Sequence, residues 1–301
     1  VYYIIIDRLD ENWVEEKLRY QLIMALILTS RDFIKVRNAK AIIAMRKDLL
    51  ERVFRLTRDS GFQEEKYESL YLRLVWNAES LLQILDARIN ALVAKRYTKS
   101  DVTHKDFLPP TYQKTAISKF ITDRTERPRD IIDFFNKCIL AGDNLSQLTN
   151  NEFKLAEGDY SRSRLKALGD EWSADYPNIL DYVQILNKRS QSFKINLITE
   201  DQLTEICLTN VANKTDGTGL IHNLAKRYVD CDLDFMDFRK MLIQTFYKVG
   251  LIGLKLEAHE KTSWVNERGR SISYAEITDE ISISVNLVYH RALGIKNSDS
   301  K

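Results

Sequence analysis

Two short runs of unbroken apolar residues constrain this chain most. VYYIIID opens it, AKAIIAM follows at 39–45, and a helix-patterned stretch lies between them. Continuous runs rich in β-branched and aromatic side chains mark strands buried on both faces. Strand, helix and strand in that order predict a parallel βαβ unit, because parallel neighbours need a long crossover. The expected strands are Tyr2–Ile6 and Ala39–Met45. The expected helix covers about Glu11–Ser30, with Leu18, Leu22, Ala25, Ile27 and Leu28 as its apolar stripe. Ligands of open parallel sheets bind beyond the carboxyl ends of the strands. Asp7, Asp10 and Arg46 are therefore expected on one ligand-facing edge. The chain begins on Val, already inside a strand-like run. That start predicts a fragment of a larger polypeptide; the alternative is an edge strand at a processed N-terminus.

Beyond Leu49 the pattern turns mainly helical. Leu70, Leu74, Leu81, Leu82, Leu85, Ile89 and Leu92 fall at helical spacing and predict a helix over about 66–95, interrupted near Trp76 and Asn77. TKSDVTHKDFLPP reads as a polar loop. RPRDIIDFFNKCILA opens a helix with Pro128 at an early position, where a missing N–H is tolerated. After Asn151 the sequence predicts a helix following Gly158 and several shorter ones. A stronger helix, DFMDFRKMLIQTFYKVG, stops at Gly250, and strands follow in LIGLKLE, TSWV and ISISVN. Short helices followed by a small β-ribbon suit a winged-helix module. The expected fold is mainly α, with a partial α/β core of parallel strands at 1–60, a helical lid at 61–165 and a winged-helix-like α+β module at 166–301.

The totals exclude several classes. With 301 residues, 44% hydrophobic and 29% charged, the chain can bury a real core, and its net charge of +2 carries no global attraction to nucleic acid or anionic membrane. The three cysteines and four histidines are scattered without zinc or disulfide spacing, which points to a reducing, cytoplasmic setting. No apolar run reaches the length of a membrane span, so no membrane partner is expected. Catalysis by Ser/His/Asp or Cys/His needs a spatial adjacency that no motif here signals.

An apolar strand ending in Asp is how P-loop NTPases hold Mg²⁺ beside a triphosphate. Asp7 has that position, and a cap for the next helix is the alternative role. Arg46, after the second strand, stands where a polar residue senses the γ-phosphate. Arg127 and Arg129 open a later helix and could reach a phosphate with a permanently charged fork. A surface salt bridge is the alternative for each arginine.

YIIIDRLDENW, AIIAMRKDLLERVF, LVWNAESLLQILDARI and RPRDIIDFFNKCI together resemble bacterial P-loop ATPases related to the KAP and STAND NTPases. AEGDYSRSRLKALGDEWSADYP and VGLIGLKLE…VYHRALGI resemble the C-terminal part of one branch of that group. The resemblance implies roles: Asp7 as the Walker B aspartate near Mg²⁺, Asp10 as the second acid of D-x-x-D, Arg46 as a sensor, and Arg129, with Arg127 as alternate, as a lid arginine. It implies ATP and Mg²⁺ as ligands of the complete protein, and a role in signalling or phage defence. Two departures stand out. Arg8 occupies the position where relatives often carry a second acid, so Asp10 substitutes or hydrolysis is slow. The chain also contains no Gly-Lys pair, hence no phosphate loop, which the family places upstream of the Walker B strand.

The expected function is the C-terminal part of an ATP-dependent conformational switch, inactive in hydrolysis without that loop. The alternative is a non-enzymatic winged-helix module binding a partner protein or DNA. Lys226, Arg227, Arg268 and Arg270 are its basic candidates, opposed by Asp230, Asp232, Asp234 and Asp237, which favours protein over nucleic acid. An oligomer is compatible with either reading.

Overall fold

The structure is a computed structural model that describes residues 1–11, 13–56, 65–93, 97, 100–213, 219–265 and 272–296. It is mainly helical with small sheets, and it divides into two compact units, 1–74 and 75–301.

In the first unit, β1 (Tyr2–Ile6) pairs in parallel with β2 (Ala39–Ile43), from Tyr2 opposite Ala39 to Ile6 opposite Ile43. α1 (Glu16–Phe33) connects them, and α2 (Lys47–Leu56) and the single turn α3 (Glu65–Glu68) follow. The βαβ reading of the apolar runs holds. Its core is built from Tyr20, Ile23, Met24 and Ile27 of α1 against Leu49, Val53 and Phe54 of α2.

Two expectations fail here. The buried stripe of α1 is not Leu18, Leu22 and Leu28, which are all exposed; it lies at 20, 23, 24 and 27, the i, i+3, i+4, i+7 pattern of one helix face. The strands are not covered on both faces either. Tyr2, Tyr3, Ile4, Ile5 and Ile42 are exposed, because among the described residues β1 and β2 have only each other as sheet neighbours.

The interruption expected near Trp76 and Asn77 within the 66–95 helix is present but reaches further back than expected. Residues 71–77 have no regular secondary structure, with Leu72 and Leu74 at 87% and 80% exposure, and α4 (Ala78–Val93) starts only after Asn77. The Asn77 side-chain oxygen accepts the Ser80 N–H at 2.8 Å and so begins the helix.

The second unit continues through α5 (His104–Phe107), the hairpin β3 (Thr111–Tyr112) and β4 (Thr115–Ala116), and α6 (Ile117–Thr122). α7 (Pro128–Ala141) and α8 (Asn150–Glu171) follow and pack on each other. Pro128 opens α7 as expected. α8 starts eight residues before Gly158, at a capping box in which Thr149 and Glu152 satisfy each other's backbone donors. α9 (Ile179–Val183), β5 (Ser192–Lys194), α10 (Glu200–Asn213), α11 (Leu220–Val229) and α12 (Phe235–Lys248) lead to β6 (Ile252–Lys255), β7 (Ser282–Val285) and α13 (His290–Leu293). The last sheet is antiparallel in the order β5–β7–β6. Of the strand expected in TSWV, one bridge remains, Ser263 to Leu254. Gly250 ends the α12 segment in a left-handed conformation (φ +76°), which glycine adopts without a Cβ clash.

A single apolar core runs from Leu81 to Leu293 with no break at residue 165. At its centre the Phe134 ring stacks on Tyr160 at 4.6 Å, and Phe153 packs against Phe134 at 5.5 Å. A buried ionic cluster ties distant segments together. Glu157 of α8 accepts from Arg291 Nε at 2.6 Å and from the Tyr112 hydroxyl at 3.3 Å, and its other oxygen lies 3.5 Å from Arg124 Nε.

Candidate functional site

The candidate edge is the loop that leaves β1. The Ala44 N–H donates to the Ile6 carbonyl at 2.8 Å, so the parallel pairing persists to the carboxyl ends of both strands. The segment after β2 therefore leaves the sheet beside Asp7. The Asp7 carboxylate accepts the Arg8 backbone N–H at 2.8 Å through one oxygen. Arg8 takes the left-handed conformation (φ +61°), sparsely populated for a side chain of this kind, and its guanidinium lies 3.7 Å from Glu11.

Leu9 turns inward to the unit's core and anchors the loop, so its polar neighbours face out. Arg19, buried at the start of α1, donates to the Asp10 and Glu11 carbonyls at 3.4 and 3.0 Å, and the Trp13 indole donates to the Leu9 carbonyl at 3.4 Å. Backbone carbonyls of an irregular loop are thus paired by side chains where no ladder can do so.

Asp10 and Arg46 meet: a guanidinium nitrogen lies 3.7 Å from the carboxylate, with both side chains almost half exposed. A pair this solvated contributes only about 0–1 kcal/mol. The structure brings together Asp10 and Arg46, and sets Asp7 on the same strand end.

Arg127 and Arg129 belong to the second unit. Arg127 lies 3.3 Å from Asp130 and 3.5 Å from Glu171. Burial works against its charge, but the two carboxylates outweigh that and raise its pKa. It is already a helix-start salt bridge, the alternative role read from sequence. Arg129 is exposed and, among the described residues, makes no hydrogen bond or ion pair, so it is the arginine left available to a ligand.

The basic candidates of the C-terminal region divide likewise. Lys226 and Arg227 are exposed on α11, while Arg268 and Arg270 lie outside the described residues. α12, directly before the ribbon, buries Phe238, Arg239, Leu242, Ile243, Thr245, Phe246 and Tyr247 and keeps little free face.

A Mg²⁺ ion bound through one carboxylate, waters and phosphate oxygens matches the acceptor capacity that Asp7 retains. Among the described residues no group of three or more His, Cys, Asp or Glu side chains is gathered for a metal. The described cysteines are free, Cys138 and Cys207 buried and Cys231 exposed; burial pushes the Cys207 thiol up to about 12, outside the range of a ready nucleophile. No helix among the described residues is long and apolar enough to cross a membrane.

Residues 79–169 match the FunZ-associated C-terminal helical domain. The match begins at the second residue of α4 and ends within the last turn of α8, so it spans the α4–α8 part of the second unit and contains Arg127 and Arg129. No curated protein and no solved structure matches the chain.

Proposed function

We propose that this chain is the C-terminal part of an ATP-dependent conformational switch of the P-loop type, related to the KAP and STAND NTPases. β1 and β2 are its Walker B and sensor strands. The observation that carries the reading is the shared carboxyl edge, with Asp7 at the tip of β1 and the Asp10–Arg46 pair beside it. Exposed apolar surface supports it. The β1–β2 ribbon and the Leu18–Leu22–Leu28 face of α1 are uncovered, as expected of a parallel core that packs against further strands and helices. The phosphate loop, absent from these residues, would come from polypeptide outside them. The description of the 79–169 match, a C-terminal helical domain, agrees with that order.

When bound, Mg²⁺ would neutralise part of the phosphate charge, with Asp7 as the side chain that would hold it through water. Asp7 accepts hydrogen bonds from waters at the strand tip. Arg46 leaves its weak pair with Asp10 and donates to a terminal phosphate oxygen. Freed from Arg46, Asp10 accepts a hydrogen bond from a nearby water and orients it, the task Arg8 cannot perform because a guanidinium has no acceptor. The region 166–301, which holds helices α10–α12 and the sheet β5–β7–β6, acts as a winged-helix-like output module in the cytoplasm.

The alternative, a non-enzymatic interaction module, draws its support from α12. A helix with half of its residues buried, Phe238, Arg239, Leu242 and Phe246 among them, has little free face for a DNA groove, which favours a partner protein over nucleic acid. The test is ATP turnover by the protein made from its full coding sequence. Asp7→Ala should lower it at least about hundredfold; equal, robust turnover would refute the assignment.

A further inference from the structure

The geometry points to a second site, a nucleophilic relay of Asp86, His104 and Ser118 that takes an acyl donor, with Ser118 Oγ as the attacking atom. Asp86 sits on α4, His104 opens α5 and Ser118 is the second residue of α6. The His104 Nδ1 lies 2.8 Å from Asp86 Oδ1, and its Nε2 lies 2.7 Å from Ser118 Oγ. The same carboxylate oxygen accepts the His104 backbone N–H at 2.8 Å, so the acid is fixed by two donors. A carboxylate only accepts, so Nδ1 carries the proton and Nε2 presents its lone pair to the serine hydroxyl. This is the chain of roles by which an acid orients a base and the base activates a nucleophile, recognised by geometry and independent of order in sequence.

The surroundings hold the three residues in place. Thr103 and Asp106 form a capping box that sets His104 at the start of its turn. Asn90 accepts the Val102 N–H at 2.8 Å and donates to the Asp86 carbonyl at 3.0 Å, which pins the preceding loop to α4. The His104 side chain is 3% exposed, so water does not compete for its nitrogens. Ser118 is only partly buried, as is Asp86 at the other end of the relay, while the histidine between them is enclosed. None of the three residues belongs to the strand edge of the first unit.

In the reaction, His104 Nε2 takes the Ser118 proton as Oγ bonds to the acyl carbon. The tetrahedral adduct collapses, the bond to the leaving group breaks, and that group departs with the proton from Nε2. Water, activated by the same nitrogen, then adds to the acyl carbon and releases Ser118 and the free acid.

A fluorophosphonate reads the first step directly, since Oγ bonds to phosphorus and fluoride leaves. The full chain is incubated with such a probe and the modified peptide is mapped by mass spectrometry. Ser118 should be the labelled serine. Labelling should vanish in Ser118→Ala and slow at least about hundredfold in His104→Gln, which can hydrogen-bond but cannot take the proton. Circular dichroism confirms folding, and Asp86→Asn serves as the second variant if His104→Gln does not fold, with the same expected loss. A Ser118 no more reactive than other serines, or equal rates with and without the histidine or the acid, would overturn the relay and leave a hydrogen-bonded staple between three helices.

Discussion

Replacing Glu157 by Gln should destabilise the second unit by about 3 kcal/mol. Glu157 is 3% exposed and faces Arg291, Tyr112 and Arg124 together. Burial holds Arg124 below the usual guanidinium range. Burial is the largest effect on Arg291 and works against its charge, but the hydrogen bonds and charges of Glu157 and Tyr112 together outweigh it and raise its pKa. Glu157 is therefore committed mainly to Arg291, and Arg124 depends on what remains, the Phe120 carbonyl at 3.2 Å and the Phe120 ring at 3.5 Å. A neutral amide leaves two guanidiniums sharing a buried site with only the more distant Asp123 charge acting on Arg124, and turns one acceptor into a donor. Losing one partner of a buried ion pair costs about 3–5 kcal/mol, and the lower end applies because Arg291 is about a third exposed. For a unit of this size, that corresponds to a Tm lower by roughly 6–12 °C. The assay is thermal and urea unfolding of the full chain, with Arg291→Gln and the double variant closing a cycle. A coupling of at least about 1 kcal/mol is expected between residues in direct contact. A loss below about 1 kcal/mol, or additive effects, would refute the claim that this cluster joins α8 to the C-terminal turn.

Other variants probe other links. Phe134→Ala removes a fully buried ring stacked on Tyr160 and should cost about 3–5 kcal/mol in urea unfolding. Gly253→Ala puts a methyl group 2.6 Å from Thr262 and 2.8 Å from Trp264, so overpacking should cost about 1–3 kcal/mol by the same measurement. Hydrogen bonds from Thr149 hold the Glu152 carboxyl below its ordinary pKa. Its contribution to stability is therefore present above the unfolded carboxyl pKa and lost as pH falls through the lower folded value. Glu152→Gln should flatten the acid side of the stability profile, and an unchanged slope would remove that carboxyl from the account.

The first unit was largely legible in sequence because unbroken apolar runs leave few folds open. Which α1 face is buried was not: apolar residues lie on both sides of that helix, and only packing selects Tyr20, Ile23, Met24 and Ile27 over Leu18, Leu22 and Leu28. An interruption near Trp76 and Asn77 was legible, but leucines at helical spacing hid how far it reaches back, over 71–77; Asn77 ahead of Glu79 and Ser80 carried the start signal of α4. At the site, strand ends located Asp7, Asp10 and Arg46, but Arg127 and Arg129 read alike until Asp130 and Glu171 engaged the first. The Asp86–His104–Ser118 relay had no signal at all in one dimension. Its members come from three helices with no motif spacing, and adjacency is made by packing alone.

The central claim is that Asp7 stands beside the metal of a bound nucleotide, and titration calorimetry on the protein from the full coding sequence tests it most directly. With ATP in Mg²⁺ and in EDTA, wild type should bind more tightly with the metal, and Asp7→Asn should lose that increment while keeping its metal-free affinity. An Asp7→Asn protein that retains the full Mg²⁺-dependent gain would contradict the claim.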